Sequence, residues 1–162
     1  MGLFDKMKDK VKGALNIDGV KVEVTEVEDE FPITDTVMKG RFTLTTASEH
    51  EILSITASVI AEMKPQYAED ENGPDSPDPI ILGEEIDDAD NEVIGRDFQY
   101  PCTIKPGEDL QDSFNILLDD SPQEMMREQN AKIEHYDFFV TVEADVKGTP
   151  FDPEGKKKFQ II

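Results

Sequence analysis

The sequence predicts an all-β protein, an antiparallel β-sandwich preceded by one short amphipathic helix. Roughly seven to nine segments alternate apolar and polar residues with a period of two, as β-strands do. One face of each segment is largely polar, which is typical of antiparallel strands covered on one side only. The chain has 162 residues, a length that predicts one domain. It contains no internal repeat.

The first element is a predicted amphipathic helix over residues 2–16. Its apolar residues recur at helical spacing, and its lysines fall mainly outside that stripe. The apolar positions are Leu3, Phe4, Met7, Val11, Ala14 and Leu15. The basic positions are Lys6, Lys8, Lys10 and Lys12, which against Asp5 and Asp9 leave a net charge of +2. The predicted division of the chain is therefore a helix over 1–17 and a sandwich over 18–162.

The period of two begins at Val20. Val27 is out of phase with the alternation before it, which predicts a bulge or a bend. Residues 31–35 predict a turn. The next two strands are predicted from Met38, Gly40, Phe42 and Leu44, and from Ile55, Ala57, Val59, Ala61 and Met63.

Residues 65–95 form an acidic insert that contains no Lys or Arg. Prolines and Gly73 at its start predict a loop, and residues 80–82 predict a short strand. The insert is interpreted either as a solvated loop that keeps the protein soluble, or as a Ca²⁺-responsive module or docking surface for a basic partner. No metal ligand is assigned. The aspartates considered for a cation are Asp70, Asp75, Asp145 and Asp152.

The second half of the sequence predicts further strands and one helix. Alternation predicts strands over 98–104 and 114–118, and most strongly over 136–146, before a last strand at 159–161. Ser121 as N-cap, with the proline after it and a glutamate at the third helical position, predicts a helix that runs to about residue 132.

The residues favour a protein without catalysis or cofactors. The sequence contains no glycine-rich phosphate loop, no nucleophile elbow and no zinc-protease motif. Cys102 is interpreted as a buried small hydrophobe, and His50 and His135 as surface or strand-entry residues. The formal charge of −21 disfavours nucleic acid as a partner. A single cysteine excludes an internal disulfide, and the absence of a long apolar run or secretory signal favours the cytoplasm.

Two surfaces of the predicted fold offer routes to partners. The helix over 2–16 is expected either to pack on the sandwich or cover a strand edge, or to bind an anionic membrane or the groove of a partner. Open sheet edges are expected to accept a partner strand or to pair two copies into a homodimer.

Several segments resemble one known family. They are residues 1–6, which lead into 20–24; residues 31–44, where a tight turn precedes a strand with Gly40 between apolar positions; and 52–59, 98–101, 104–108 and 144–153. Together they resemble the arrestin-like sporulation-control family of the stage-zero sporulation protein M type, over nearly the whole chain. The resemblance implies an arrestin-like β-sandwich that acts as a regulator or adaptor through protein–protein contacts. The acidic insert has no counterpart in the family pattern.

Overall fold

The computed structural model describes residues 19–67, 78–91, 93 and 95–162, and these residues are mostly β-strand. In chain order the strands are β1 (Val20–Val27), β2 (Glu30–Phe31), β3 (Val37–Thr46), β4 (His50–Met63), β5 (Ile80–Asp87), β6 (Cys102–Ile104), β7 (Leu110–Leu117), β8 (Tyr136–Val146) and β9 (Glu154–Ile161). Helix α1 (Pro122–Glu128) and a 3₁₀ turn (Ile133–His135) precede β8. The all-β class is confirmed. The helix predicted over 2–16 lies outside the described residues.

The strands form two sheets. The smaller sheet has the order β1-β3-β7, and the larger has the order β2-β9-β8-β4-β5, with β6 also paired to β4. Every strand pair is antiparallel except β2–β9, which is parallel. Residue 31 therefore belongs to a strand, and the predicted turn begins after it. The backbone N–H of Ile33 donates to the carbonyl of Ile162 at 2.8 Å, which fixes this parallel edge.

The inward-facing residues of both sheets share one hydrophobic core. It contains fully buried residues from β3 in the smaller sheet and from β4 and β8 in the larger one, among them Phe42, Ile55 and Val140. This core follows from the alternation in the sequence, because every second residue of a strand points to the same side.

The two sheets also touch at their edges. A Cβ placed on Gly155 of β9 would lie 2.8 Å from the carbonyl oxygen of Val22 in β1, so these two backbones approach closely. On the other side, Gly83 of β5 bridges to Leu118, and the N–H of Asp119 donates to the carbonyl of Leu82 at 2.9 Å.

Several predicted elements have different bounds in the structure, while others match. Strand β8 covers 136–146 as predicted, and the predicted irregularity in β1 is a register shift between Val24 and Glu26. Strand β5 extends five residues beyond the predicted 80–82. The strand predicted over 98–104 is wrong in its first half, because Tyr100 turns into the core and Pro101 has no N–H to donate to a ladder. Helix α1 ends four residues before the predicted end at residue 132.

Candidate binding face on the larger sheet

The outward side of the larger sheet brings together side chains from four strands. The strands β5, β4, β8 and β9 pair in sequence across the sheet, with a register shift against β5 between Val59 and Ile60, so residues far apart in sequence stand side by side. They form three rows: Ile86, Thr56, Glu143 and Glu154; Glu84, Ser58, Thr141 and Lys156; and Ile81, Ile60, Phe139 and Lys158. These rows, with Glu62 and Asp78 at their border, are named the outer face.

The outer face has a floor of small and apolar side chains. Ile60 and Phe139 are half-buried, and Ile81 of the same row is 53% exposed. Ile60 and Ile81 line a groove of about 540 Å³. Its other lining residues are small or acidic: Thr56, Ser58, Thr141 and Pro79, and the carboxylates of Asp78, Glu62, Glu84, Glu143 and Glu154. An apolar floor with a charged border is a surface on which an amphipathic partner can bury its apolar side and pair its charges.

Most of the carboxylates in this border lack a cation. Glu62 accepts from Lys156 at 2.6 Å, and the same ammonium lies 4.1 Å from the centroid of the Phe139 ring. Within the part of the chain that the structure describes, no ion-pair partner stands beside the other four acids of the groove: Asp78, Glu84, Glu143 and Glu154. The groove therefore carries uncompensated negative charge.

Several carboxylates gather around Glu143. Partial burial raises the pKa of the Glu143 carboxyl, and the nearby carboxylates of Asp152, Glu154 and Asp145 raise it further, with a hydrogen bond to Asp152 adding to the effect. A raised pKa means that the ionised form is disfavoured where it stands. A cationic group placed near Glu143 would relieve this cost.

The aspartates considered as metal ligands do not assemble into a metal site among the described residues. Asp145 and Asp152 both lie near Glu143, but no group of three or more His, Cys, Asp or Glu side chains in the described ranges could hold a metal ion. Asp70 and Asp75 lie outside these ranges.

No helix among the described residues is long and apolar enough to cross a membrane.

A buried ionic cluster supports the outer face from beneath β5. The side chain of Arg96 is only 2% exposed and pairs with Glu85, while its Nε lies 3.4 Å from Oδ2 of Asp87. Its guanidinium carbon stands 5.7 Å from the centroid of the Phe42 ring. Burial raises the pKa of Asp87, and the charge of Arg96 opposes that shift. The cluster ties the chain after the acidic insert to β5 and to the core.

Asp112 completes this cluster from β7. It is fully buried and accepts the backbone N–H of Asp97 at 3.0 Å and the hydroxyl of Tyr100 at 3.3 Å. Burial and the charge of Asp112 raise the pKa of the neighbouring Cys102 to about 11, so this thiol stays protonated near neutral pH. A protonated thiol is a poor nucleophile. Cys102 packs against the core but is only half-buried, whereas the sequence-based interpretation was a buried residue.

The two histidines lie apart from the outer face. The ring of His135 stacks on Tyr67 with centroids 3.8 Å apart, and Nε2 of His50 lies 3.1 Å from the Ser48 hydroxyl at the start of β4.

The buried ionic cluster was not predicted from the sequence. One feature of the sequence could have indicated it: Asp112 occupies a position of β7 that faces the core, on the same side as Leu110 and Phe114.

Comparison with solved structures shows a likeness in fold alone. No protein-family model matches this sequence, and no curated protein matches it either. The solved structure of Spo0M, the sporulation control protein from Bacillus subtilis, has a TM-score of 0.57 at 14% identity. The match covers 88% of this chain and 49% of that one, so this chain spans about half the length of Spo0M. The described residues therefore have a Spo0M-like fold.

Two further solved structures match with lower scores. They are the alkylpurine DNA glycosylase AlkC from Pseudomonas fluorescens, at 13% identity over 98% of this chain and 35% of that one, and the ligand binding region of serine-glutamate repeat protein A from Enterococcus faecium, at 11% identity over 89% and 97%. Both have a TM-score of 0.38, which is too low to indicate a shared fold.

Proposed function

We propose that this protein is a non-catalytic regulatory protein of the sporulation-control type, which acts in the cytoplasm by binding protein partners through its outer face. In this proposal the two sheets pack as an arrestin-like sandwich. The likeness to a protein named for sporulation control supports the regulatory role. The observation that carries the proposal is the groove of about 540 Å³ with an apolar floor and an acidic border.

The chemistry of the groove selects a basic amphipathic partner. Such a segment would bury apolar side chains against Ile60, Ile81 and Phe139, and would bring Lys or Arg to the carboxylates at the border. The formal charge of −21 would attract the same partner over a longer range and speed its association. Each exposed ion pair adds only about 0.2–1 kcal/mol, so several pairs and the apolar contact must act together.

The test is a capture experiment with two matched triple variants of the full chain. The face variant combines Glu84→Lys, Glu143→Lys and Glu154→Lys. The control variant combines Glu23→Lys, Glu28→Lys and Glu108→Lys, which are exposed acids away from the outer face and change the net charge by the same amount. Both are immobilised beside the unchanged protein and incubated with native lysate, and the retained proteins are quantified by mass spectrometry.

We expect a defined set of proteins that the unchanged chain and the control variant retain equally. The face variant is expected to retain at least about tenfold less of that set, because three attractive charges become repulsive. Equal retention by the face and control variants would refute the outer face as the binding surface. Circular dichroism of all three chains verifies that each is folded.

A further inference from the structure

We infer that the basic segment over residues 1–18 docks on the outer face of its own chain and competes with partners there. This inference rests on the proposed function, since it names the regulation of the same surface. Three observations support it: the position at which the segment leaves the described fold, the length of the segment, and the match of its charges and apolar residues to the groove.

The segment joins the fold beside the outer face. Val22 lies against the core side of Gly155, and the residue before that glycine, Glu154, points to the opposite side of β9 and lines the groove, so the segment would reach the groove around the β9 border. Gly19 precedes Val22 by three residues, or about 10 Å of extended chain. The segment is therefore tethered next to one wall of the groove, which gives it a high effective concentration there.

The length of the segment matches the width of the outer face. Four adjacent strands, β9, β8, β4 and β5, span about 14 Å between the first and last strand axes. Eighteen residues would extend about 27 Å as a helix and further if extended. The tether can therefore place residues 3–15 over the whole groove from its β9 border to its β5 border.

The chemistry of the segment complements that of the groove. Its apolar residues, with Leu3, Met7 and Val11 at helical spacing, match the aliphatic floor of the groove, beside which Phe139 lies in register with Ile60. Its four lysines outnumber its aspartates Asp5, Asp9 and Asp18, and they can face the four groove acids that have no cation beside them in the described part of the chain. A segment bound through exposed charges in its own chain would be displaced by a partner of the same chemistry with more contacts.

Distances between two spin labels test the docking directly. In a full chain with Cys102→Ser, one nitroxide is attached at Met7→Cys and a second at Thr141→Cys in the outer face. The reference pair carries the second label at Thr43→Cys, a half-buried threonine on the outward side of β3 in the smaller sheet. Dilution with unlabelled protein separates contacts within one chain from contacts between two copies.

We expect a narrow distance distribution for the Met7–Thr141 pair, shorter than the Met7–Thr43 distances by at least about 10 Å, the usual spacing of stacked sheets. Replacing Lys6, Lys8, Lys10 and Lys12 with Glu is expected to broaden the distribution and to increase capture of partners. Equally broad distributions for both pairs would overturn the inference. A Met7–Thr141 distance distribution that becomes narrow only when vesicles containing phosphatidylserine are added would also overturn the inference, because the segment would then bind lipid.

The two proposals fail in different measurements. Loss of the short Met7–Thr141 distance, with capture still dependent on the outer face, removes only the intramolecular docking. If the face variant retains as much of the partner proteins as the unchanged chain does, the outer face is not the binding surface, whatever the distances between the spin labels are.

Discussion

The Arg96→Met variant is expected to lose about 3–5 kcal/mol of unfolding free energy. Its side chain is almost fully buried beside Glu85 and Asp87, and methionine removes the positive charge while leaving both carboxyls in place. Buried carboxylates without a counterion are far more costly than a lost surface pair. Urea unfolding followed by far-ultraviolet circular dichroism measures the loss.

Arg127→Met is the matched control for this replacement. The side chain of Arg127 is 76% exposed and pairs with Glu124 on α1, so its loss should cost less than about 1 kcal/mol. Adding Glu85→Gln and Asp87→Asn to Arg96→Met should restore part of the stability, because the uncompensated charges are then gone. Equal losses at positions 96 and 127 would contradict the structural role of the buried ionic cluster.

Gly40→Ala is the second large effect that we expect, at about 3 kcal/mol of destabilisation, the upper end of the usual cost of overpacking. A Cβ at this position would lie 2.2 Å from the carbonyl oxygen of Glu26 and 2.3 Å from Cζ of Phe114. The carbonyl belongs to the bulged part of β1 and cannot move without disturbing the β1–β3 ladder. Thermal and urea unfolding both measure the loss.

Gly107→Ala separates crowding from backbone strain. Gly107 has a φ of +84° and open space around its Cβ, so alanine there costs only the strain of the left-handed conformation, about 1 kcal/mol. In the Gly40→Ala background, Phe114→Leu should cost less than it does in the unchanged protein, because the smaller side chain relieves one of the two contacts. A Gly40→Ala loss no larger than that of Gly107→Ala would argue against the close approach.

Local pattern was sufficient for elements whose ends are encoded nearby. Strand β8 alternates without interruption over residues 136–146, and its bounds match the prediction. The start of α1 also followed from local signals, since the Ser121 hydroxyl accepts the N–H of Glu124 at 3.3 Å as a capping serine does. Its end did not, because Asn130 adopts a φ of +51° just beyond the helix, and nothing in the sequence singled out that asparagine.

Only residues 80–82 of β5 are predicted from the sequence, because the acidic composition of residues 65–95 favours a loop. Glu84 and Ile86 point outward while Asp87 points into the core, and pairing with β4 holds this strand although its charges favour a loop. Asp87 is tolerated inside because Arg96, just past the insert, is buried with it. The partner of a buried charge cannot be read from a local window.

The outer face was beyond sequence analysis for a related reason. Thr56 and Thr141 are unremarkable in their own strands, and they become neighbours of Glu84 and Glu154 only through a register that crosses four strands. The local period predicts a basic helix over 2–16, which lies outside the described residues, but the surface proposed to bind it could be found only from the fold. The sequence-based alternatives for that segment therefore included a membrane as well as the sandwich.

The most direct test of the central claim is the affinity of the outer face for a synthetic peptide of residues 2–16. The host is the full chain with Lys6, Lys8, Lys10 and Lys12 replaced by Glu, so that its own segment leaves the groove free. We expect saturable binding of the peptide, measured by fluorescence anisotropy at low salt. The three substitutions of the face variant, introduced into this host, should weaken the binding at least about tenfold, which corresponds to 1.4 kcal/mol. The control variant should leave the affinity unchanged, and a scrambled peptide of equal charge should bind more weakly. No binding to the host, or equal weakening by the face and control variants, would contradict the claim that this face recognises basic amphipathic segments.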